Sequence, residues 1–129
     1  MQGRRDIPLS DRGRAQARAW KIPAGLANGS TWVSSPLSRA VETAELVIAR
    51  VVARESALIE MSWGNWEGCT LDELRAAPGG AYARNEARGL DFRPPGGESP
   101  RDVLARLQPW LERVAASEHS VVAVSHLGV

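Results

Sequence analysis

Residues 121–129 read VVAVSHLGV: four β-favouring apolar residues, Val121 to Val124, run into Ser125 and His126, and Gly128 marks a turn just beyond. A strand whose carboxyl end delivers a histidine into a loop is how open α/β sheets present reactive groups. On this segment alone His126 is either a group placed for chemistry or a hydrogen-bonded histidine that finishes a strand. The other histidine, His119, stands in the polar turn ASEHS and reads as a solvated loop residue.

The rest of the chain supplies the elements such a strand needs around it. Ser10 or Asp11 caps a helix through about Lys21, with Ala15, Ala19, Trp20 and Ile22 on its apolar side, and Pro23 ends it. TWVSS, at 31–35, reads as a short buried strand. Pro36 then stands at a helix start, and SRAVETAELVIARVVA predicts about four helical turns. ALIEM, at 57–61, reads as a further strand, followed by the glycine-containing turn WGNWEG. Thr70 and Glu73 form a capping box for a short helix near Leu71 to Ala77. Residues 78–98, rich in Gly, Pro and Arg, read as a surface excursion with one broken helix around Tyr82. Ser99, Pro100 and Asp102 start a last helix with an apolar stripe at Val103, Leu104, Leu107, Trp110, Leu111 and Val114, which Pro109 should kink or shorten. Strands alternating with helices predict an α/β fold, a mainly parallel sheet covered by helices.

Composition narrows the function classes. A chain of 129 residues suits one domain able to bury about two thirds of its unfolded surface. The single cysteine, Cys69, excludes an internal disulfide and reads as a small half-buried thiol; with two histidines seven positions apart it offers no zinc spacing, so no metal site is expected. Sixteen basic residues against fifteen acidic ones leave a net charge of +1, and the arginines are scattered among acidic neighbours, which argues against a nucleic-acid partner. No apolar stretch approaches the ~20 residues of a membrane span and no signal peptide opens the chain, so no membrane partner and a cytoplasmic location are expected.

Three positions converge on phosphoryl chemistry. Arg39 follows SSPLS, near the first turn of a helix that leaves a strand, where free amides and the helix dipole favour an anion and a guanidinium adds a bidentate clamp. Glu60 ends ALIE at a turn, where a carboxyl group can be tuned to donate a proton. His126 ends the strand at 121–125. Taken singly, Arg39 reads equally as an exposed helix residue paired with Glu42 or Glu45, and Glu60 as a solvated turn residue.

Five segments in order carry a resemblance that joins them. QGRRDIPLSDRGRAQA, SSPLSRAVETAELV, IEMSWGNWEG, PPGGESPRDVLARL and VVAVSHLGV together resemble the histidine phosphatase superfamily, which contains phosphoglycerate mutases and broad small-molecule phosphatases. The resemblance implies a three-layer α/β/α fold of the phosphoglycerate mutase kind in one domain, 1–129, partial at both ends. It implies a strand near Trp32 to Ser35 lying between one near Leu58 to Met61 and one at Val121 to Ser125. It assigns phosphoryl binding to Arg39, proton donation to Glu60 and stabilisation of the transferred group to His126; Gln2 and Gly3 would line the substrate mouth, and the Leu127 amide would face a phosphate oxygen. Family members carry an Arg-His-Gly motif whose histidine becomes phosphorylated, shortly before the QG segment; that motif is not among these residues, and Leu127 stands where glycine is frequent. The chain thus reads as an internal piece, inactive by itself, of a cofactor-independent phosphomonoesterase acting on a small phosphorylated metabolite. A phosphoglycerate mutase and a catalytically dead anion-binding module are the alternatives; oligomeric state has no signature.

Overall fold

A computed structural model describes all residues, 1–129. Three strands form one parallel sheet: β1 Thr31–Ser34, β2 Ala53–Arg54 and β3 Val121–Val124, in the order β2-β1-β3. The central β1 matches β3 residue for residue, from Thr31 opposite Val121 to Ser34 opposite Val124. β3 has one neighbour only, so an apolar strand forms the sheet edge.

The second strand lies elsewhere than the sequence suggests. Pairing occurs at Ala53–Arg54, while the ALIEM segment opens with a 3-10 turn at Ser56–Leu58, capped by the Glu55 carboxylate accepting from the Ala57 amide at 2.9 Å. The physical reason lies in where its carbonyls find donors. Those of Ala57 and Ile59 accept from the Arg106 guanidinium, that of Leu58 from Ser125 Oγ at 2.9 Å, and that of Glu60 from Arg4 Nε at 3.1 Å. Four consecutive acceptors are satisfied by side chains, so this stretch has no need of a strand ladder.

Six helices surround the sheet: α1 Asp11–Ala19, α2 Ala24–Gly29, α3 Ser38–Ile48, α4 Leu71–Ala76, α5 Ala81–Glu86 and α6 Pro100–Ala115. The caps are those the sequence predicts: Ser10 accepts from the Gly13 amide, and Thr70 with Glu73 and Ser99 with Asp102 complete reciprocal capping boxes. α1 packs on α3, tied by Arg14 to Glu42 at 3.0 Å, and buries Ala17; Ala15, Ala19 and Trp20, expected on its apolar side, are exposed. α2, unforeseen after Pro23, receives the Trp32 indole N–H on the Leu26 carbonyl at 2.9 Å. α3 is shorter than predicted, because Ala49 turns left-handed at φ 54° and releases the next valines; Val52 enters the sheet-side core with Trp32 and Ala44. α6 continues through Pro109 for 16 residues. It buries Val103 and Trp110, but Leu104 and Leu111 of the expected stripe remain about half exposed, at 52% and 48%.

α3 covers one face of the sheet, where Trp32, Val122 and Val124 meet Ala44, Val47 and Ile48. On the other, Trp110 and Val114 of α6 share a groove with Thr31 and Val121. A second core sits beyond the sheet's carboxyl edge; the run 78–98 is mostly exposed and carries the helix expected around Tyr82, α5, but unlike a plain surface excursion it anchors side chains in this core. Tyr82, Phe92 and Pro94 are buried there, and Met61, Leu74, Tyr82, Phe92 and Val103 form one cluster flanked by Trp63 and Trp66. Its rings meet at centroid distances of 5.5 Å for Trp63 with Phe92 and 5.8 Å for Tyr82 with Phe92. Large rings bury enough apolar area to order a segment whose Gly and Pro content reads as loop. No helix is long and apolar enough to cross a membrane.

Candidate functional site

The carboxyl end of β1 continues into Ser34 and Ser35, both fully buried. The Ser35 amide donates to the Val124 carbonyl at 2.9 Å, which carries the β1–β3 pairing one step past the strands. Ser35 Oγ accepts from the Leu37 amide at 3.3 Å and lies 2.7 Å from His126 Nε2. One hydroxyl thereby ties the start of α3 to the histidine that leaves β3. Burial first, then the positive charges of Arg39 and Arg106, lowers the His126 pKa from its ordinary 6.5 to about 4. The imidazole is therefore neutral at pH 7.

Arg39 is the second residue of α3. Its guanidinium donates to the Gly3 carbonyl at 2.9 Å and to the Arg5 carbonyl at 3.0 Å, and pairs with neither Glu42 nor Glu45. The backbone at Gly3 has φ 55°, and a Cβ there would lie 2.3 Å from Glu67 Oε1, so only glycine delivers this carbonyl to Arg39. The first amide of α3 is not open to an outside anion as expected: Asp6 Oδ1 accepts from both the Ser38 amide and its hydroxyl at 2.7 Å. Those two bonds hold the Asp6 carboxyl below its ordinary pKa. Anion capture here falls to the Arg39 side chain.

Glu60 turns back on its own loop, with Oε1 accepting from the Met61 amide at 2.8 Å. Gly128 approaches that carboxylate so closely that an added Cβ would be 2.4 Å from Oε1. Arg39 and Glu60 line one cavity of about 380 Å³, together with Met1, Gln2, Gly3, Trp63, Leu127 and Gly128. His126 does not form part of its wall; it stands behind, against Ser35. Trp63, Leu127 and Gly128 also border a second cavity of about 450 Å³ walled by Met61, Tyr82 and Phe92, with Glu86 its one charged side chain. His119 is exposed in the turn before β3, at the opposite end of that strand from His126. Cys69 is a half-buried free thiol, and no three His, Cys, Asp or Glu side chains converge as a metal site requires.

The profile of the histidine phosphatase superfamily (branch 1) matches residues 1–129. The chain belongs to that superfamily. It is 38% identical over 136 residues to a 2,3-bisphosphoglycerate-dependent phosphoglycerate mutase of Methylobacterium radiotolerans, covering 94% of this chain and 63% of that protein. A glucosyl-3-phosphoglycerate phosphatase of Mycobacterium tuberculosis is 37% identical over 143 residues, with 100% of this chain and 63% of its own length covered. A solved structure of a mycobacterial glucosyl-3-phosphoglycerate phosphatase with inorganic phosphate superposes with a TM-score of 0.82 at 37% identity, over 99% of this chain and 68% of that one. The chain thus has the mixed α/β, parallel-sheet fold of the phosphoglycerate mutase kind, and spans about 63% of the length of these curated relatives, which are enzymes.

Within this histidine phosphatase chain, the sequence points to Gln2, Gly3, Arg39, Glu60 and Leu127, which share the cavity, and to His126, which is outside its wall and hydrogen-bonded to Ser35. It missed Ser35, Asp6 and the Arg4–Glu98–Arg106 group. The serine pair before Pro36 was a usable signal, since a hydroxyl just before a helix start commonly accepts from its first amides. Arg4 and Arg106 carried none, standing among arginines dispersed along the whole chain.

Proposed function

We propose that residues 1–129 are the greater part of a cofactor-independent phosphomonoesterase that hydrolyses small phosphate esters through a phosphohistidine. The observation that carries this reading is the convergence of the Arg39 guanidinium and the Glu60 carboxyl on one cavity, with a neutral His126 behind them. In this reading Arg39 is fixed by the Gly3 and Arg5 carbonyls and uses its remaining N–H donors on the phosphoryl oxygens. A histidine nitrogen attacks phosphorus, the ester P–O bond breaks, and Glu60 delivers its proton to the departing oxygen. Water, giving a proton to Glu60, then attacks phosphorus, the phosphorus–nitrogen bond breaks with its electron pair returning to the histidine nitrogen, and inorganic phosphate leaves. His126 stabilises the charge that builds on the transferred group, with the Leu127 amide beside it, and Gln2 and Gly3 line the mouth.

The attacking histidine is neither of the two present. His119 is remote from the cavity and His126 is read as stabilising charge, so this reading requires a nucleophile other than these two. The substrate is a small phosphorylated metabolite, and the reading needs no metal, nucleic acid or membrane partner. Purified residues 1–129 are expected to show essentially no turnover of an aryl phosphate, whereas the complete gene product turns it over. Robust turnover by the short chain, lost on His126→Ala, would overturn this mechanism and make His126 the nucleophile.

A further inference from the structure

Glu98 is a charged side chain that the reaction above does not use, yet it joins the two arginines that grip the Glu60 segment. Its Oε1 lies 2.7 Å from Arg4 Nη2 and 3.3 Å from Arg106 Nε, and its Oε2 accepts from the Ser62 amide at 3.1 Å. The side chains of Glu98 and Arg106 are each 20% exposed and that of Arg4 37%, so this Arg–Glu–Arg group is half desolvated, more on the Arg106 side than on the Arg4 side. Each arginine spends its other donors on the backbone that leads to Glu60: Arg106 on the carbonyls of Ala57 and Ile59, Arg4 on that of Glu60 itself. Glu98 meanwhile holds the Ser62 amide, two residues past Glu60. The segment bearing Glu60 is gripped on both sides, and all three grips meet at one carboxylate. It belongs to no strand ladder, and besides these grips it is held by Ser125 Oγ on the Leu58 carbonyl, by the Glu98 amide on the Ser62 carbonyl and by burial of Leu58 and Met61.

We infer that Glu98 is a positioning residue, which sets the reach of the Glu60 carboxyl to the departing oxygen by holding Arg4 and Arg106 in register. This rests on Glu60 being the proton donor. A neutral amide at 98 keeps the volume but no longer neutralises two guanidinium groups in a half-dry setting, and removing one partner of such a group disturbs the charges left behind. The displacement is passed to Glu60 through the carbonyls of 57, 59 and 60. Proton donation weakens most, because Glu98 makes no contact of its own with Arg39, which is held by the carbonyls of Gly3 and Arg5 on either side of Arg4.

The test compares two phosphate monoesters in the complete gene product: an alkyl phosphate, whose leaving oxygen needs a proton, and p-nitrophenyl phosphate, whose leaving group departs with little assistance. Glu98→Gln is expected to lower kcat for the alkyl ester roughly tenfold more than for the nitrophenyl ester, a fraction of what a well-placed general acid contributes, with KM for both moving less than kcat. A merely structural role lowers both substrates alike, and equal losses would overturn the inference. Glu60→Gln is the control for the underlying reading: with no leaving-group dependence there, Glu60 is not the donor, whereas dependence at Glu60 without any at Glu98 refutes the positioning role alone. Should the Gln variant not fold, Glu98→Asp, which keeps the charge but loses one methylene of reach, is read by the same ratio with the same expected direction.

Discussion

His126 gives the sharpest residue-level consequence. Its folded pKa, about 4, is below its ordinary value of 6.5, so between those values the unfolded chain binds a proton that the folded chain does not. Its contribution to stability is therefore complete above about pH 6.5 and is lost as pH falls toward 4. Asp6, Glu73, Asp91 and Asp102 are held below their ordinary values by hydrogen bonds from Ser38, Thr70, Arg101 and Ser99 respectively, and their contributions are lost only at lower pH. Urea denaturation of the complete gene product at pH 7.0 and 4.5, pH values chosen to straddle this window, should show a loss of stability that shrinks in His126→Asn. An unchanged loss in the variant would mean that His126 is not desolvated as described. The same residue shows what a sequence conceals. Its position at a strand end is legible from VVAVSH, but its partner Ser35 lies 91 positions earlier, and only the parallel pairing of β1 with β3 brings the two together.

At the scale of elements, local signals read well and long-range ones poorly. Ser99 and Asp102 are legible because a capping box is a four-residue device, and Ser99→Ala should cost about 1 kcal/mol by leaving first-turn amides of α6 without their acceptor. Thermal unfolding checks this, and a change below about 0.3 kcal/mol would show that the cap carries no weight. The ALIEM segment fails as a strand for a reason no window can contain, since its carbonyls are taken by Arg4, Arg106 and Ser125 from three distant parts of the chain. Residues 78–98 mislead in the opposite direction. Gly and Pro announce turns correctly, yet Tyr82, Phe92 and Pro94 between them become core because Trp63 and Met61 stand opposite. The end of α3 misleads as well, because the helical pattern runs on through Val51 and Val52 while Val52 gains more by entering the sheet-side core.

For the molecule as a whole, the carboxyl ends of β1 and β3, the segment 57–61 outside the sheet and the loop before α1 bring Gly3, Arg39, Glu60 and His126 to one side of the sheet, though none of them is near another in sequence. Arg39 has the most direct part in the proposed chemistry, since it is the cationic side chain that lines the cavity. At its helix start the Ser38 amide is already taken by Asp6. Removing a bidentate guanidinium from an anion pocket typically weakens binding by about 2 to 3 kcal/mol, or roughly 30- to 150-fold. The decisive measurement is a calorimetric titration of the complete gene product with inorganic phosphate, wild type against Arg39→Ala, both verified as folded. Binding that is present in the wild type and falls at least 30-fold in Arg39→Ala is the expected result; equal phosphate affinity in the two proteins would contradict the phosphoryl-site reading.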